Sequence, residues 1–345
     1  MGVSLSSPGG RSAGRPYLGL LVVMAICCSP SGGTPPRIPI EDGGATVATS
    51  TRNGSTAEKM IRAERDPALR ARIRSVVPLP GVRAGSALIF TGGRLLVVQD
   101  DALAVAWVDP RTGAIERVAL EGEGGALVKA KKPDFESAFV GRDGKVTLLG
   151  SGSTSTRYRA ALLDIAGGGA ARFLDCAPLF HAIGAQLGAA PNLEGAVQLG
   201  ERLHLFHRGS GADLSAIAEV SAGAIGADAV TVLTLTRCDL GTAAGVPLTF
   251  TDATACGDAM VYLAVAEDTP NAVDDGPIAG AAVGVIAGGR ARFALLEEAD
   301  GTLTKRKVEG IAVDQETRST YLVTDPDDPA RPAELCRVDL EGFPP

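Results

Sequence analysis

Apolar and polar residues alternate along this chain in short runs, and the runs recur. From Pro191 to Gly211 (PNLEGAVQLGERLHLFHRGSG) an acidic turn at Asn192, Glu194 and Gly195 leads into a short strand. A Gly200-Glu201 turn and a second strand follow, ending in a polar loop. The same pattern returns four times, as GSALIFTGGRLLVVQDD and DFESAFVGRDGKVTLLGSGS upstream, and as FTDATACGDAMVYLAVAED and VEGIAVDQETRSTYLVTD downstream. Aligned on Glu194, the copies put Ser86, Glu136, Asp252 and Glu309 at one position, at intervals of 50, 58, 58 and 57 residues. Runs such as LIFTGGRLLVV, VTLLG, LHLF, MVYLAV and TYLVT are apolar and bounded by Gly, Asp or Asn, as strands are. An all-strand unit repeating at a near-constant period of this size predicts an all-β fold, a single β-propeller. Five copies predict five blades, with six the alternative if one long interval hides a degenerate blade. The competing architecture is a sandwich whose Gly-turn hairpins happen to look alike.

The last repeat is short and has room for three strands only. Closing a propeller removes an open sheet edge, and Ile73 to Leu79 (IRSVVPL), ahead of the first repeat, is predicted to supply the missing strand. Ser55 to Arg72 predicts a short N-terminal helix: Ser55 with Glu58 makes a capping box, and Asp66-Pro67 offers a second helix start. The propeller domain then spans 73–345.

Residues 1–28 carry the pattern of an export signal, with Arg11 and Arg15 before an apolar run from Leu18 to Ile26. The Cys27-Cys28-Ser29 that follows resembles a bacterial lipoprotein signal, although Ile26 stands where a small residue is usual. Residues 29–54, rich in Pro, Gly and Thr, suit a disordered tether. The expectation is a periplasmic, outer-membrane-tethered or secreted protein that meets a membrane only through a possible lipid anchor.

Composition narrows the function classes. A net charge of −7 argues against a nucleic-acid partner. Aromatic residues are only 4 % of the chain, so the core must be aliphatic. In an exported chain Cys176, Cys238, Cys256 and Cys336 permit two disulfides, and Cys238 with Cys256 is the pairing predicted from their place at the junction of the third and fourth repeats. None has metal-ligand spacing.

The key acidic residues precede the innermost strand of each repeat, so Glu136, Glu194, Asp252 and Glu309 are expected to converge as a carboxylate ring broken by Ser86. Like charges so gathered need a counter-charge. One candidate is a calcium ion, which takes six to eight oxygen ligands. Another is pairing with Arg83, Lys132, Arg157, Arg208 or Lys307. A third role is structural, the carboxylates accepting backbone N–H bonds from the next blade. The loops after the second strands supply a second polar set: Asp100-Asp101, Gly150 to Ser153, His207 to Ser210 and Thr324-Asp325. Gly150 to Arg157 (GSGSTSTR) has the character of an anion-binding loop but lacks P-loop spacing, and His207-Arg208 could bind a phosphate or carboxylate. No Ser-His-Asp order, GxSxG elbow or HExxH occurs.

The trio KKPDFESAF, LGSGSTSTR and NLEGAV followed by HRGSG resembles an uncharacterised bacterial β-propeller family related to the phytase-like propellers, over about Gly81 to Asp325. The resemblance implies a secreted or periplasmic propeller with a site at the channel mouth. It implies that Asp134, Glu136, Ser151, Ser153, Arg157, Asn192, Glu194 and Arg208 cluster. Two functions follow from different classes. One is an envelope binding or scaffold protein for a small anionic molecule or an envelope protein. The other is a calcium-dependent phosphoester hydrolase, with Arg157 or Arg208 clamping the anion.

Overall fold

The computed structural model describes residues 59–122, 124, 132, 134–165, 171–209, 213–269 and 276–344. The signal-like segment 1–28, the tether 29–54 and the capping box at Ser55 and Glu58 lie outside them.

Strands dominate the described residues, and they fall into antiparallel groups of four. The first group is β3 (Gly85–Thr91), β4 (Arg94–Gln99), β5 (Ala104–Val108) and β6 (Ile115–Ala119). The second is β7 (Phe135–Val140), β8 (Val146–Gly150), β9 (Arg159–Leu163) and β10 (Arg172–Asp175). The third is β11 (Leu193–Leu199), β12 (Arg202–His207), β13 (Ser215–Ser221) and β14 (Thr234–Asp239). After a small hairpin of β15 (Thr242–Ala243) and β16 (Val246–Pro247) comes the fourth: β17 (Thr249–Cys256), β18 (Ala259–Glu267), β19 (Ile278–Ala287) and β20 (Arg290–Glu297). The last group joins β21 (Val308–Asp314), β22 (Ser319–Thr324) and β23 (Glu334–Glu341) to β2 (Arg70–Pro78), which lies antiparallel to β23.

The first strands of the groups touch in ring order, β3–β7–β11–β17–β21 and back to β3, the arrangement of a propeller-like fold. Five buried apolar clusters fill the spaces between neighbouring groups, built mostly from Val, Leu, Ile and Ala. The aliphatic composition is thereby accounted for, since face-to-face sheets at about 10 Å are filled by branched side chains of this size.

Two expectations need correction. The segment expected to be helical is β1 (Lys59–Arg65) followed by the start of β2. Its first residues run parallel to β14 and its last three parallel to β20, so β1 bridges two outer edges. An outer strand presents a row of unpaired N–H and C=O groups, and pairing with that row outweighs the helix propensity of Arg and Glu. The period of two is visible afterwards: Ala71 and Ile73 are buried while Arg70, Arg72 and Arg74 are exposed. The predicted Cys238–Cys256 disulfide is absent. Cys238 packs between the third and fourth groups and Cys256 between the fourth and fifth, so the two thiols lie on opposite faces of a sheet.

One α-helix stands among the described residues, α1 (Ala177–Leu187), between β10 and β11. It buries Leu179, Phe180, Ile183 and Leu187 and stops at Gly188, whose φ of 76° makes the left-handed cap. Phe180 lies so close over Gly152 that a β-carbon there would sit 2.1 Å from its ring. The helix thus holds down the Gly150–Arg157 loop, which only glycine at 152 permits.

Candidate functional site

Each first strand carries the same irregularity. Its register slips by one residue between Gly85 and Ala87, Phe135 and Ser137, Leu193 and Gly195, Phe250 and Asp252, and Val308 and Gly310. The residue skipped at these bulges is Ser86, Glu136, Glu194, Thr251 or Glu309. Bulges re-aim a side chain. The fourth member of the ring is therefore Thr251, one residue before the expected Asp252.

Hydroxyl and carboxyl members behave differently. Ser86 Oγ donates to the Phe135 carbonyl at 2.6 Å, and Thr251 Oγ1 donates to the Val308 carbonyl at 2.9 Å. In both cases the acceptor directly precedes the bulge residue of the next group, so these hydroxyls tie neighbours together. Glutamate at the same place has no proton to donate when ionised. Glu136, Glu194 and Glu309 instead line a cavity of about 680 Å³.

Asp252 lies below that cavity and does not line it. It is 1 % exposed, and its carboxylate accepts the N–H of Ala253 and of Ile311, each at 2.7 Å, together with that of Leu88. Burial pushes its pKa up, and the three N–H donors oppose that shift. One side chain thus joins the fourth, fifth and first groups across the axis. Around it Gly195 and Gly310 approach neighbouring backbones so closely that a β-carbon would come within 2.8 Å of main-chain atoms. The axis is filled at this level, and the cavity above it has a floor.

The cavity walls come from the bulges and the loops after the second strands. Register pairs Asp134 with Ser151, Asn192 with Arg208, and Lys307 with Asp325 through backbone bonds, which places those loops at one height. Nine carboxyls and five cationic side chains line the space, the latter being Arg83, Lys132, Arg157, Arg208 and Lys307. Every cation has an acid: Arg83 pairs with Asp101, Lys132 with Asp100 at 2.9 Å, and Arg157 with Asp134 at 2.7 Å. Arg208 meets Glu267 at 2.6 Å and Glu194 at 3.8 Å, and Lys307 meets Asp327 at 2.7 Å and Glu309 at 3.6 Å. Ser151 Oγ donates to Asp134 at 2.5 Å, and Ser153 Oγ accepts from Arg157 at 2.6 Å. Asn192 Nδ2 donates to Glu194 at 2.6 Å.

His207 lines the wall as a neutral ring. Its Nδ1 accepts the Asn192 N–H at 2.9 Å, and burial pulls its pKa down to about 4. The eight residues expected to cluster, from Asp134 to Arg208, come together here with His207, Ser151 through its bond to Asp134; Asp252 is the expected metal ligand that stands apart. Sequence reasoning overlooked Thr251 and Glu267, the second because it ends β18, away from the aligned positions. Of the five non-glycine residues with positive φ among the described residues, Ala84, Asp134 and Asp327 belong to this wall, at 43°, 52° and 50°. Such backbone strain gathers at functional sites.

Glu136 differs from its neighbours. Among the described residues no hydrogen bond or ion pair reaches its carboxylate. Burial pushes its pKa well up, and Asp134, Glu194, Asp100 and Glu309 push it further. Asp100, Asp134 and Glu136 bring one oxygen each within 4.8 Å of the others, a spacing that could hold a cation. The Oδ1 of Asp100 is buried without a hydrogen-bond partner.

Burial also raises Glu194 and Glu309 from the ordinary 4.5 to about 7, and Asp325 from 3.8 to about 7. A carboxyl whose folded pKa exceeds its unfolded value stabilises the fold fully below the unfolded value, and loses that contribution as pH rises through 7. His207 works the other way, its contribution being complete above 6.5 and lost as pH falls through 4. Three carboxyls oppose one imidazole, so the melting temperature is expected to rise as pH is lowered from 8 to 6. The double variant Glu194→Gln, Glu309→Gln should flatten that slope, and a melting temperature that falls over this range would contradict the assignment.

A family model described as a family of unknown function (DUF6929) matches residues 81–340. No curated protein matches the chain. Among solved structures it is similar to the glutaminyl cyclase of Myxococcus xanthus, at 11 % identity and a TM-score of 0.46, over 82 % of this chain and 99 % of that one. It is similar to the Malassezia sympodialis allergen Mala s 1, at 10 % identity and a TM-score of 0.49, over 77 % and 96 %. A third is the PQQ-bound aldose sugar dehydrogenase of Streptomyces coelicolor, at 13 % identity and a TM-score of 0.43, over 80 % and 99 %. What those proteins act on does not transfer to this chain at such similarity.

Proposed function

We propose that this chain, which belongs to the family of unknown function DUF6929, is a five-bladed propeller closed by β2 that binds a small molecule at its channel mouth. The cavity carries the reading. At about 680 Å³ it falls within the range of small-molecule sites, roughly 300–1,000 Å³. It has a packed floor, and its walls are charged side chains fixed by their neighbours, the preorganisation a binding site needs. Five repeated groups and the antiparallel pairing of β2 with β23 support the blade count and the closure. The Arg11, Arg15 and Leu18–Ile26 pattern with Cys27-Cys28 supports export and an envelope tether.

A second reading, calcium-dependent phosphoester hydrolysis of the phytase-like kind, draws on the approach of Asp100, Asp134 and Glu136. Against it, Arg157 and Arg208 are held by Asp134 and Glu267, so an anion would have to displace a carboxylate to be clamped. Binding is the reading the geometry favours.

Thermal-shift titration of the full chain with a set of small metabolites sorted by charge tests this. A specific ligand at a hundredfold excess over its Kd stabilises the fold by about 2.7 kcal/mol. At least one compound is expected to raise the melting temperature by several degrees, and to lose that effect when wall residues are changed. A set in which every shift survives such changes would rule out the cavity as the site.

A further inference from the structure

The charges lining the cavity are unbalanced in a way that selects a ligand. An anion would need a free donor, yet each of the five cations already has a carboxylate partner, and four of these pairs lie at 2.6–2.9 Å. Acceptors, in contrast, are left over. The Glu136 carboxylate has no partner among the described residues, Asp100 Oδ1 is buried without one, and both belong to the trio whose oxygens come within 4.8 Å of one another.

From this arrangement, and resting on the reading of the cavity as a binding site, we infer that the ligand is a small organic molecule carrying a protonated amine, seated on Glu136 with Asp100 and Asp134. An ammonium group has three N–H donors and no acceptor, matching three convergent carboxylate oxygens. A bare divalent ion fits less well. It seeks six to eight oxygens, and here Lys132 and Arg157 already sit on Asp100 and Asp134, so it would lie beside two fixed positive charges. It would also leave most of a space of about 680 Å³ to water. The remainder of an organic amine would extend towards Asn192 and Arg208, which also line the cavity.

The test is a thermal-shift and calorimetric titration of the full chain at pH 8 and low ionic strength with four separate probes: putrescine, calcium chloride, inorganic phosphate and glucose. Putrescine is expected to raise the melting temperature. Loss of a charge-assisted hydrogen bond should weaken that binding roughly 10- to 100-fold in Glu136→Gln. Glu341→Gln, an exposed change far along the chain, should leave it intact. A shift with phosphate or glucose that depends on Glu136 would overturn the amine assignment and leave the binding cavity standing. A Glu136-dependent shift with calcium alone would overturn it in favour of a metal ion. Putrescine binding that is equal in wild type and Glu136→Gln would overturn it as surface attraction, and no shift with any probe would overturn both the amine and the cavity.

Discussion

Asp252→Ala is expected to destabilise the protein by at least about 3 kcal/mol, because three buried N–H donors lose their acceptor at roughly 1–3 kcal/mol each. Those donors belong to Ala253, Ile311 and Leu88, in three separate first strands. The alanine cannot be rescued by water, since the site is 1 % exposed and ringed by close backbone contacts at Gly195 and Gly310. Against a total stability typically near 5–15 kcal/mol, this is a large fraction. Asp252→Asn keeps one carbonyl oxygen and should fall between wild type and alanine. Urea unfolding measures both. An alanine variant within about 0.5 kcal/mol of wild type, the size of a typical surface change, would mean that this carboxylate does not hold the strands together.

The same residue shows how far the chain could be read without coordinates. Repeat spacing and Gly-bounded apolar runs give the strands and their grouping, because the hairpin of each unit is local in sequence. The one-residue displacement from Thr251 to Asp252 was invisible. A bulge skips a residue, and in TDATA the acid stands beside the hydroxyl that takes the ring position. Aligning on charge chose the wrong neighbour, while aligning on the ability to donate to the next strand would have chosen Thr251, like Ser86.

The N-terminal strand β1 could not be read locally either, since its partners lie 177 and 228 residues away and only they explain it. The helix α1 was overlooked in the sequence, although Leu179, Phe180, Ile183 and Leu187 follow helical spacing and Gly188 stops them. The basic residues of the cavity were legible as neighbours of the key acids. Which acid each would hold was not, because Arg208 reaches Glu267 from another group, 59 residues on.

Glu136 is where the reading of the site is most exposed to test. A carboxylate that staples strands must accept hydrogen bonds, as Asp252 does, and its loss must destabilise. Glu136 accepts none among the described residues, and its acidic neighbours Asp134, Glu194, Asp100 and Glu309 raise its pKa. Replacing it with the neutral, similarly shaped glutamine removes a buried charge and its repulsion from those acids, which outweighs the lost attraction to Lys132 and Arg208, and deletes the charge that seats a ligand. Binding residues commonly carry this conflict between stability and function. The sign follows from linkage. A carboxyl raised in the folded state stabilises the fold fully only below its unfolded value of 4.5, so the benefit of Glu136→Gln should be absent below that pH and grow as pH rises above it.

The most direct measurement is therefore the melting temperature of ligand-free wild type and Glu136→Gln at pH 8 and at pH 4, below the ordinary glutamate value of 4.5. If Glu136 is a seat for a ligand, the variant melts roughly 2–4 °C higher at pH 8, corresponding to about 1 kcal/mol in a domain of this size, and matches wild type at pH 4. A variant that melts lower than wild type at pH 8 would make Glu136 a structural staple and contradict the account of the cavity.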